Sequence, residues 1–302
     1  MRILIASSDY CSQPHKSIAD NIIKYIPEHK FIIRDIPSKT FIPNIDIIYY
    51  LNIMDMIKYQ HDIWQNLTIP ICSSIRSHRP LQEYKDNLNF NLAKLVAVSA
   101  DNEKMLNISI EKYIKHHNLV LKPFVTPHSA DPEIFKETNP VNLTPRKIIV
   151  GYVGSFRDDK QYNIFQEACK EAKNFVIPKT VGKVSHKIPY DQMCAFYNSI
   201  DVLVCCSKQE GGPSPPLEAA LCGRAIITTD VGFMRKAFGQ YASYFNGSIA
   251  HLATKLKYFH DNREHLLKMS ISAKKVISTK WTWEKLIVNY KEMFEYCANT
   301  SS

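Results

Sequence analysis

The 302-residue sequence predicts an α/β chain of two similar domains, each built on a parallel sheet. Short, nearly continuous apolar runs alternate with helical patterning, as strands buried on both faces beneath helices would. Residues 201–229 give one complete unit of strand, loop, helix and strand, for which a right-handed crossover is the rule. All nine glycines fall at Gly151 or later, so the two halves of the chain differ in character.

Taken in order, residues 2–6 read as a strand and 18–25 as an amphipathic helix, with further strands at 31–34 and 45–51. Helical patterning returns over 54–64, and residues 69–73 form a strand entering a loop. A strand at 94–99 is expected to end in Ser99, capping the helix from 101 onward, and 120–127 leads out of the first domain. Residues 139–146 hold two prolines and no apolar period, which marks a linker. A fresh strand at 148–154 precedes a loop and a helix reaching about residue 173. Residues 179–187 read as a polar loop, and helical segments fill the chain after Gly232. The expected division is 1–138, a linker at 139–147, a second domain at 148–280 and a terminal segment at 281–302, where Trp281, Trp283, Leu286, Tyr290, Met293 and Phe294 fall near helical spacing.

Composition excludes several classes. No apolar run approaches the roughly 20 residues of a membrane span, and residues 2–6 pass directly into Ser7-Ser8-Asp9, as a first strand would and a signal peptide would not. A cytoplasmic protein is expected. Eight cysteines form no C-x-x-C pair, and Cys205, Cys206 and Cys222 sit in expected core elements, so they suggest neither a zinc site nor a disulfide framework. Without glycine before Gly151, the first half holds neither a G-x-G-x-x-G fingerprint nor a P-loop. The net charge of +9 is uneven: residues 1–146 carry 17 Lys and Arg against 15 Asp and Glu, and residues 147–302 carry 21 against 14. That excess suits an anionic ligand in the second half, or a solvated basic surface.

The chemistry concentrates in Ser207-Lys-Gln-Glu-Gly-Gly-Pro-Ser-Pro-Pro-Leu-Glu-Ala-Ala-Leu-Cys-Gly-Arg-Ala-Ile-Ile-Thr-Thr-Asp-Val-Gly232. Ser214 is read as the N-cap of a helix, Pro215 as its first residue and Gly223 as the glycine that ends it. Glu210 lies at the loop tip and Glu218 in the expected first helical turn, at the carboxyl ends of the strands, where ligands of open α/β sheets bind. Ionised carboxylates accept hydrogen bonds from paired sugar or ribose hydroxyls, and a helix start offers N–H groups and a positive dipole end to phosphate. Together they suggest a nucleotide-sugar. The plainer alternative is a glutamate favouring its helix terminus and a second one solvated on a loop.

The same stretch resembles the E-x7-E signature of retaining GT-B glycosyltransferases, particularly glycosyltransferase family 4. The resemblance implies two Rossmann-like domains with parallel sheets facing an interdomain cleft. It implies that Glu210 contacts the donor sugar and Glu218 the nucleotide ribose, with Gly211, Gly212, Pro213, Ser214, Pro215 and Leu217 shaping the donor site. After the strand at 148–154, family members carry a glycine, often an adjacent arginine, and a lysine six residues on; here these positions hold Gly154, Ser155 and Lys160, with Arg157 nearby. Arg157 and Lys160 are therefore expected on the donor diphosphate, or else as surface cations beside Asp158 and Asp159. Val96-Ala-Val-Ser99 and Thr126-Pro-His-Ser-Ala-Asp131 with Phe135 also match family passages, although His-Ser-Ala-Asp replaces Asn-Gly-Val-Asp.

Before residue 94 the resemblance fades. The family's glycine-rich loop after the first strand is replaced by the run from Ser7 to Lys16, which includes Asp9. The loop Ser73-Ser-Ile-Arg-Ser-His-Arg79 supplies acceptor-side candidates: Ser74, Arg76 to meet phosphate, and His78 to position donor or acceptor, against the alternative of a plain surface loop. The family's terminal helix packs back on the first domain; a helix resting on the second is the alternative.

The reading is thus a retaining glycosyltransferase that uses a nucleotide-diphospho-sugar and, by the resemblance, neither metal nor cofactor. Its acceptor would be a hydroxyl on a glycan or lipid-linked glycan, with peripheral membrane contact suggested by basic residues in 108–122 and no obligate protein partner. Hydroxylated DNA bases are an alternative acceptor, and a non-transferring nucleotide-sugar binder or epimerase is the alternative class.

Overall fold

The computed structural model describes residues 1–8, 13–35, 44–58, 69–76, 95–114, 121–144, 146–182 and 188–300. Two compact units emerge, one of Met1–His128 with Trp283–Ser302, the other of Ser129–Thr282.

The first unit holds six parallel strands: β1 (Arg2–Ser7), β2 (Lys30–Asp35), β3 (Ile47–Tyr50), β4 (Ile71–Ile75), β5 (Leu95–Ala100) and β6 (Lys122–Val125), in the order β2-β1-β3-β4-β5-β6. Side chains alternate across a strand, so β1 sends Leu4 and Ala6 to one face and Ile3 and Ile5 to the other. The Leu4 face packs with Met54, Met56, Met105 and Leu106 from two short helices, Ile53–Lys58 and Glu103–Ser109. The Ile3 face is covered by Ile18, Ala19 and Ile22 of the helix Gln13–Tyr25 and by Trp283, Tyr290, Met293 and Phe294 of the terminal helix Trp283–Asn299. Expected elements thus recur with shifted ends, except at Ser99 and over 59–64, the latter part of the helix expected at 54–64, which lies outside the described residues. The strand continues through Ala100, so Ser99 stays in the sheet and Asn102 caps the helix instead, accepting the Met105 N–H at 2.9 Å.

The second unit has five parallel strands: β7 (Ile148–Val153), β8 (Val176–Val181), β9 (Val202–Cys205), β10 (Ala225–Thr228) and β11 (Ser243–Tyr244), in the order β11-β10-β9-β7-β8. One face packs on the helices Tyr162–Glu171 and Ile249–Asp261 through Phe165, Leu252 and Leu256. The other carries the helices Ser214–Leu221 and Arg263–Lys280. Strand β8 corrects the reading of 179–187, because Lys179 to Val181 complete it and only 183–187 lie outside the described residues. Pro178 disguises β8 in the sequence and is tolerated because this is an edge strand. Residues 139–147 are held to this unit by Asn198, whose Oδ1 accepts the N–H groups of Thr138 and Asn139, and by Arg146, whose guanidinium forks onto Asp201 at 2.8 and 2.9 Å.

Sheet order fixes where ligands belong. The connection after β1 runs to β2 on one side while that after β3 runs to β4 on the other, and the connection after β7 runs to β8 on one side while that after β9 runs to β10 on the other. The crevices beyond β1/β3 and β7/β9 are therefore the topological switch points of the two sheets.

Phe294 is fully buried and meets Phe31 and Tyr49 edge-on or tilted. Phe294→Ala is expected to cost roughly 3–5 kcal/mol in urea unfolding, whereas Val288→Ala, on an exposed turn of the same helix, stays within about 0.5 kcal/mol.

Candidate functional site

The β7/β9 switch point gathers the signature residues. Beyond β7, Gly154 and Ser155 lead into a short turn, Asp158–Lys160; the Tyr152 hydroxyl pins this loop by donating to the carbonyls of Ser155 at 3.0 Å and Lys160 at 3.3 Å. Gln161, left-handed at φ 49°, turns the chain into the next helix. Beyond β9, the Lys208 N–H donates to the Asp159 carbonyl at 2.8 Å and ties the two loops together. The Lys160 ammonium then meets Glu210 Oε1, which also accepts the Ser207 hydroxyl at 2.7 Å. Ser207 is fixed in turn: its carbonyl accepts the Thr229 hydroxyl at 2.6 Å. The Lys160 and Glu210 side chains keep 23% and 14% of their exposure, so the pair is sheltered yet reachable.

The glycines are required by close approach. A Cβ on Gly212 would stand 1.9 Å from the Phe233 ring, and one on Gly232, at φ 56°, would stand 2.4 Å from the Gly211 carbonyl oxygen. The loop is pressed flat against residues 232–233, which delivers Glu210 to Lys160.

The helix begins one residue earlier than expected. Pro213, extended, is its N-cap although it makes no side-chain capping bond, and helical geometry already holds at Ser214, its first residue. Pro215 and Pro216 follow, so of the first three helical positions only Ser214 carries an N–H. This corrects the expectation of a donor-rich helix start: the dipole remains, but two of its N–H groups are missing. At the other end, Gly223 at φ 75° and bonds from Gly223 to Ala220 and from Arg224 to Ala219 form a Schellman motif.

Glu218 lies in the second helical turn rather than the first, and it is buried. Leu217 beside it is wholly buried and serves the core. The Tyr197 hydroxyl donates to Glu218 Oε2 at 2.6 Å, and Tyr190 bonds the same carboxyl. Burial pushes the Glu218 carboxyl up to about 7, against the opposing pull of the two phenols. Phe135 packs edge-on against both tyrosines, at ring-centroid distances of 5.6 and 5.9 Å.

Other expected residues lie elsewhere. Arg157 forks onto Asp159 at 2.8 and 3.0 Å, with its side chain half exposed, and is not brought to Glu210. Ser74 is fully buried on β4, its hydroxyl 2.6 Å from Tyr49 Oη and 2.8 Å from Ser99 Oγ; a strand-interior serine with both neighbours bonded does not face an acceptor, which corrects its assignment. Arg76 turns inward, donating to Asp101 at 2.7 Å and to the hydroxyls of Tyr49, Ser74 and Tyr290 at 3.2 to 3.4 Å. His128 joins the network through Asp101 at 3.0 Å. Burial alone would raise the Asp101 carboxyl, but Arg76 and His128 hold it below the usual range. Arg76 is therefore the centre of a buried network, which corrects the expectation that it stands ready for phosphate. Asp9 and His78 lie outside the described residues.

Sequence reasoning missed Ser207, Tyr190 and Tyr197, the groups that position both glutamates. It also missed a polar cluster at the β1/β3 switch point, where Ser7 Oγ lies 3.1 Å from His15 Nδ1 and Asp55 accepts both the backbone N–H and the hydroxyl of Ser8. Only the serines after β1 hinted at it.

Residues 179–276 match the family of glycosyl transferases group 1. That match lies within the second unit, over about a third of the chain. An uncharacterized glycosyltransferase of Methanocaldococcus jannaschii is 23% identical over 209 residues, which cover 62% of this chain and 58% of that protein. Sucrose-phosphate synthase from Thermosynechococcus elongatus superposes with a TM-score of 0.74 at 12% identity, covering 98% of each chain. Anabaena HepE, in complex with UDP and glucose, gives 0.74 at 13% identity, covering 98% of this chain and 99% of that one. The fold is GT-B.

A prediction follows from the burial of Glu218. Its carboxyl is held near 7 in the fold, above an unfolded glutamate, so the ionised form is the disfavoured one. That burden is absent where the carboxyl is protonated in both states, grows through pH 5 to 7 and is complete above it. Glu218→Gln is expected to gain on the order of 3 kcal/mol more at pH 8 than at pH 4 in urea unfolding; an equal change at both values would contradict the assignment.

Proposed function

We propose that the chain transfers a sugar, with retention at the anomeric carbon, from a nucleoside-diphospho-sugar to a hydroxyl acceptor on a glycan or lipid-linked glycan. The observation that carries this reading is the Lys160–Glu210 pair at the β7/β9 switch point, with Glu218 beyond it on the following helix. Glu210, steadied by Ser207, accepts hydrogen bonds from the donor sugar. Glu218 accepts the ribose hydroxyls. Lys160 faces the diphosphate, where negative charge grows as the glycosidic bond breaks; a fixed cation aimed at that charge lowers the barrier.

In this reading the acceptor oxygen attacks the anomeric carbon from the face the diphosphate leaves. A departing phosphate oxygen takes the acceptor proton, so the products are the glycoside and the protonated nucleoside diphosphate. Charge compensation by Lys160 matters more here than in a chain with a full set of helix N–H groups, because Pro215 and Pro216 have removed two of them. Arg157 joins the diphosphate only by releasing Asp159. The acceptor-side groups belong to the first unit, with Asp9 and His78 as candidates.

The HepE complex with UDP and glucose makes a UDP-sugar the first donor to try. Incubated with UDP-, GDP-, ADP- and dTDP-sugars, the protein is expected to release the nucleoside diphosphate from one of them. Glu210→Ala should abolish the release, and Lys160→Ala should slow it by about 10²–10³-fold. Undiminished release from Lys160→Ala would remove Lys160 from the reaction, and failure to bind any nucleotide would contradict the transferase reading.

A further inference from the structure

Glu218 is buried beside two phenols. Tyr197 comes from the helix Met193–Asn198 and is wholly buried, and Tyr190 comes from the turn Tyr190–Gln192 just before it. Neither tyrosine is free to drift. Phe135 wedges edge-on against both rings, and the helix bearing Tyr197 is anchored at its end by Asn198, whose amide donates to the carbonyls of Lys136 at 2.8 Å and Cys194 at 2.9 Å. The helix bearing Glu218 is anchored by its Schellman end and by Arg224, a buried guanidinium that donates to the carbonyls of Cys222, Ile200 and Asn139. The hydrogen bond from Tyr197 to Glu218 therefore joins two fixed elements.

An ionised carboxylate offers about four lone-pair sites. Two phenols take two of them and leave two, the number that the neighbouring hydroxyls of a ribose ring require. Resting on the donor reading above, we propose that Tyr197 is a positioning residue for the nucleotide ribose: its hydroxyl fixes the Glu218 carboxylate as a two-site acceptor for the ribose diol. Tyr190 plays the same part in support.

The phenols also decide the protonation state. A protonated carboxyl presents an O–H where the diol needs an acceptor, so the neutral form binds ribose poorly. Burial pushes the carboxyl up to about 7, and both phenols oppose it. Among the described residues, the titratable groups facing this cluster are Tyr197, Tyr190 and the Cys222 thiol, itself pushed up by burial, and none of the three is a cation that would keep Glu218 ionised in place of the phenols. Removing one hydroxyl should therefore move the carboxyl further up, and ribose recognition should become limited to higher pH.

The test compares wild type, Tyr197→Phe and Glu218→Gln in calorimetric titrations with UDP, or with GDP or ADP if wild type prefers one of those, between pH 6 and 8.5. Ligand titration cancels in the ratio of variant to wild type. Tyr197→Phe is expected to bind about tenfold more weakly at pH 6 and to approach wild type at pH 8.5. Tyr190→Phe should follow the same trend and serves as the second probe should Tyr197→Phe fold poorly. Equal affinity throughout, or a loss of the same size at every pH, overturns the proposal, since a packing defect has no reason to recover on titration. A wild type that binds no nucleotide, or a Glu218→Gln variant that binds as wild type does, would instead overturn the donor reading beneath it.

Discussion

The reversal of strand order between β7 and β9 governs everything placed around it. At that point the loops after β7 and β9 diverge from adjacent strand ends, and an ion pair, Lys160 with Glu210, joins them. Both partners are held from behind, Lys160 through the Tyr152 hydroxyl and Glu210 through Ser207 and Thr229. An ion pair so supported keeps a cation and an acceptor in a sheltered crevice without a donor, which is the arrangement a nucleoside diphosphate and its sugar can divide between them. The pair satisfies both charges at rest, and in the proposed function the donor takes each partner from the other.

The second site obeys a different constraint. Glu218 is sunk into the unit, and among the described residues two phenols oppose the effect of burial on its carboxyl, so the proposed ribose recognition is set against stability. The helix that carries it gains little from its N-terminus, having given two N–H groups to Pro215 and Pro216, and is fixed instead by its Schellman end and by the sheet. The first unit has its own buried polar core. Arg76, Asp101, His128, Ser74, Ser99 and Tyr290 are linked by hydrogen bonds beneath the carboxyl ends of β4 and β5, with Arg76 Nε left unpartnered among the described residues, and Tyr290 ties the terminal helix to the Thr126 carbonyl at 3.0 Å.

The fold was legible because its strands are short apolar runs and the E-x7-E stretch has glycines where the chain must lie flat and turn. Gly212, Gly223 and Gly232 each meet a contact or a dihedral that explains them. What stayed hidden needed three dimensions. An edge strand with a proline reads as a loop, so β8 was lost. Ser74 and Arg76 look like a polar loop in sequence, yet partners 25 and 27 positions away draw them inward. Tyr197 precedes Glu218 by 21 positions and belongs to another helix, and no local pattern announces such a pair. The glutamates were visible as types at a spacing, whereas the groups that set their orientation and charge were not.

The central claim is that Lys160 exchanges Glu210 for the diphosphate, and one titration tests it directly. Glu210→Gln releases Lys160 from its partner while keeping the size of the side chain. The account predicts that this variant binds UDP about three- to tenfold more tightly than wild type, as an ammonium relieved of competition should, while losing turnover of the UDP-sugar. Unchanged or weaker binding of UDP by Glu210→Gln would contradict it.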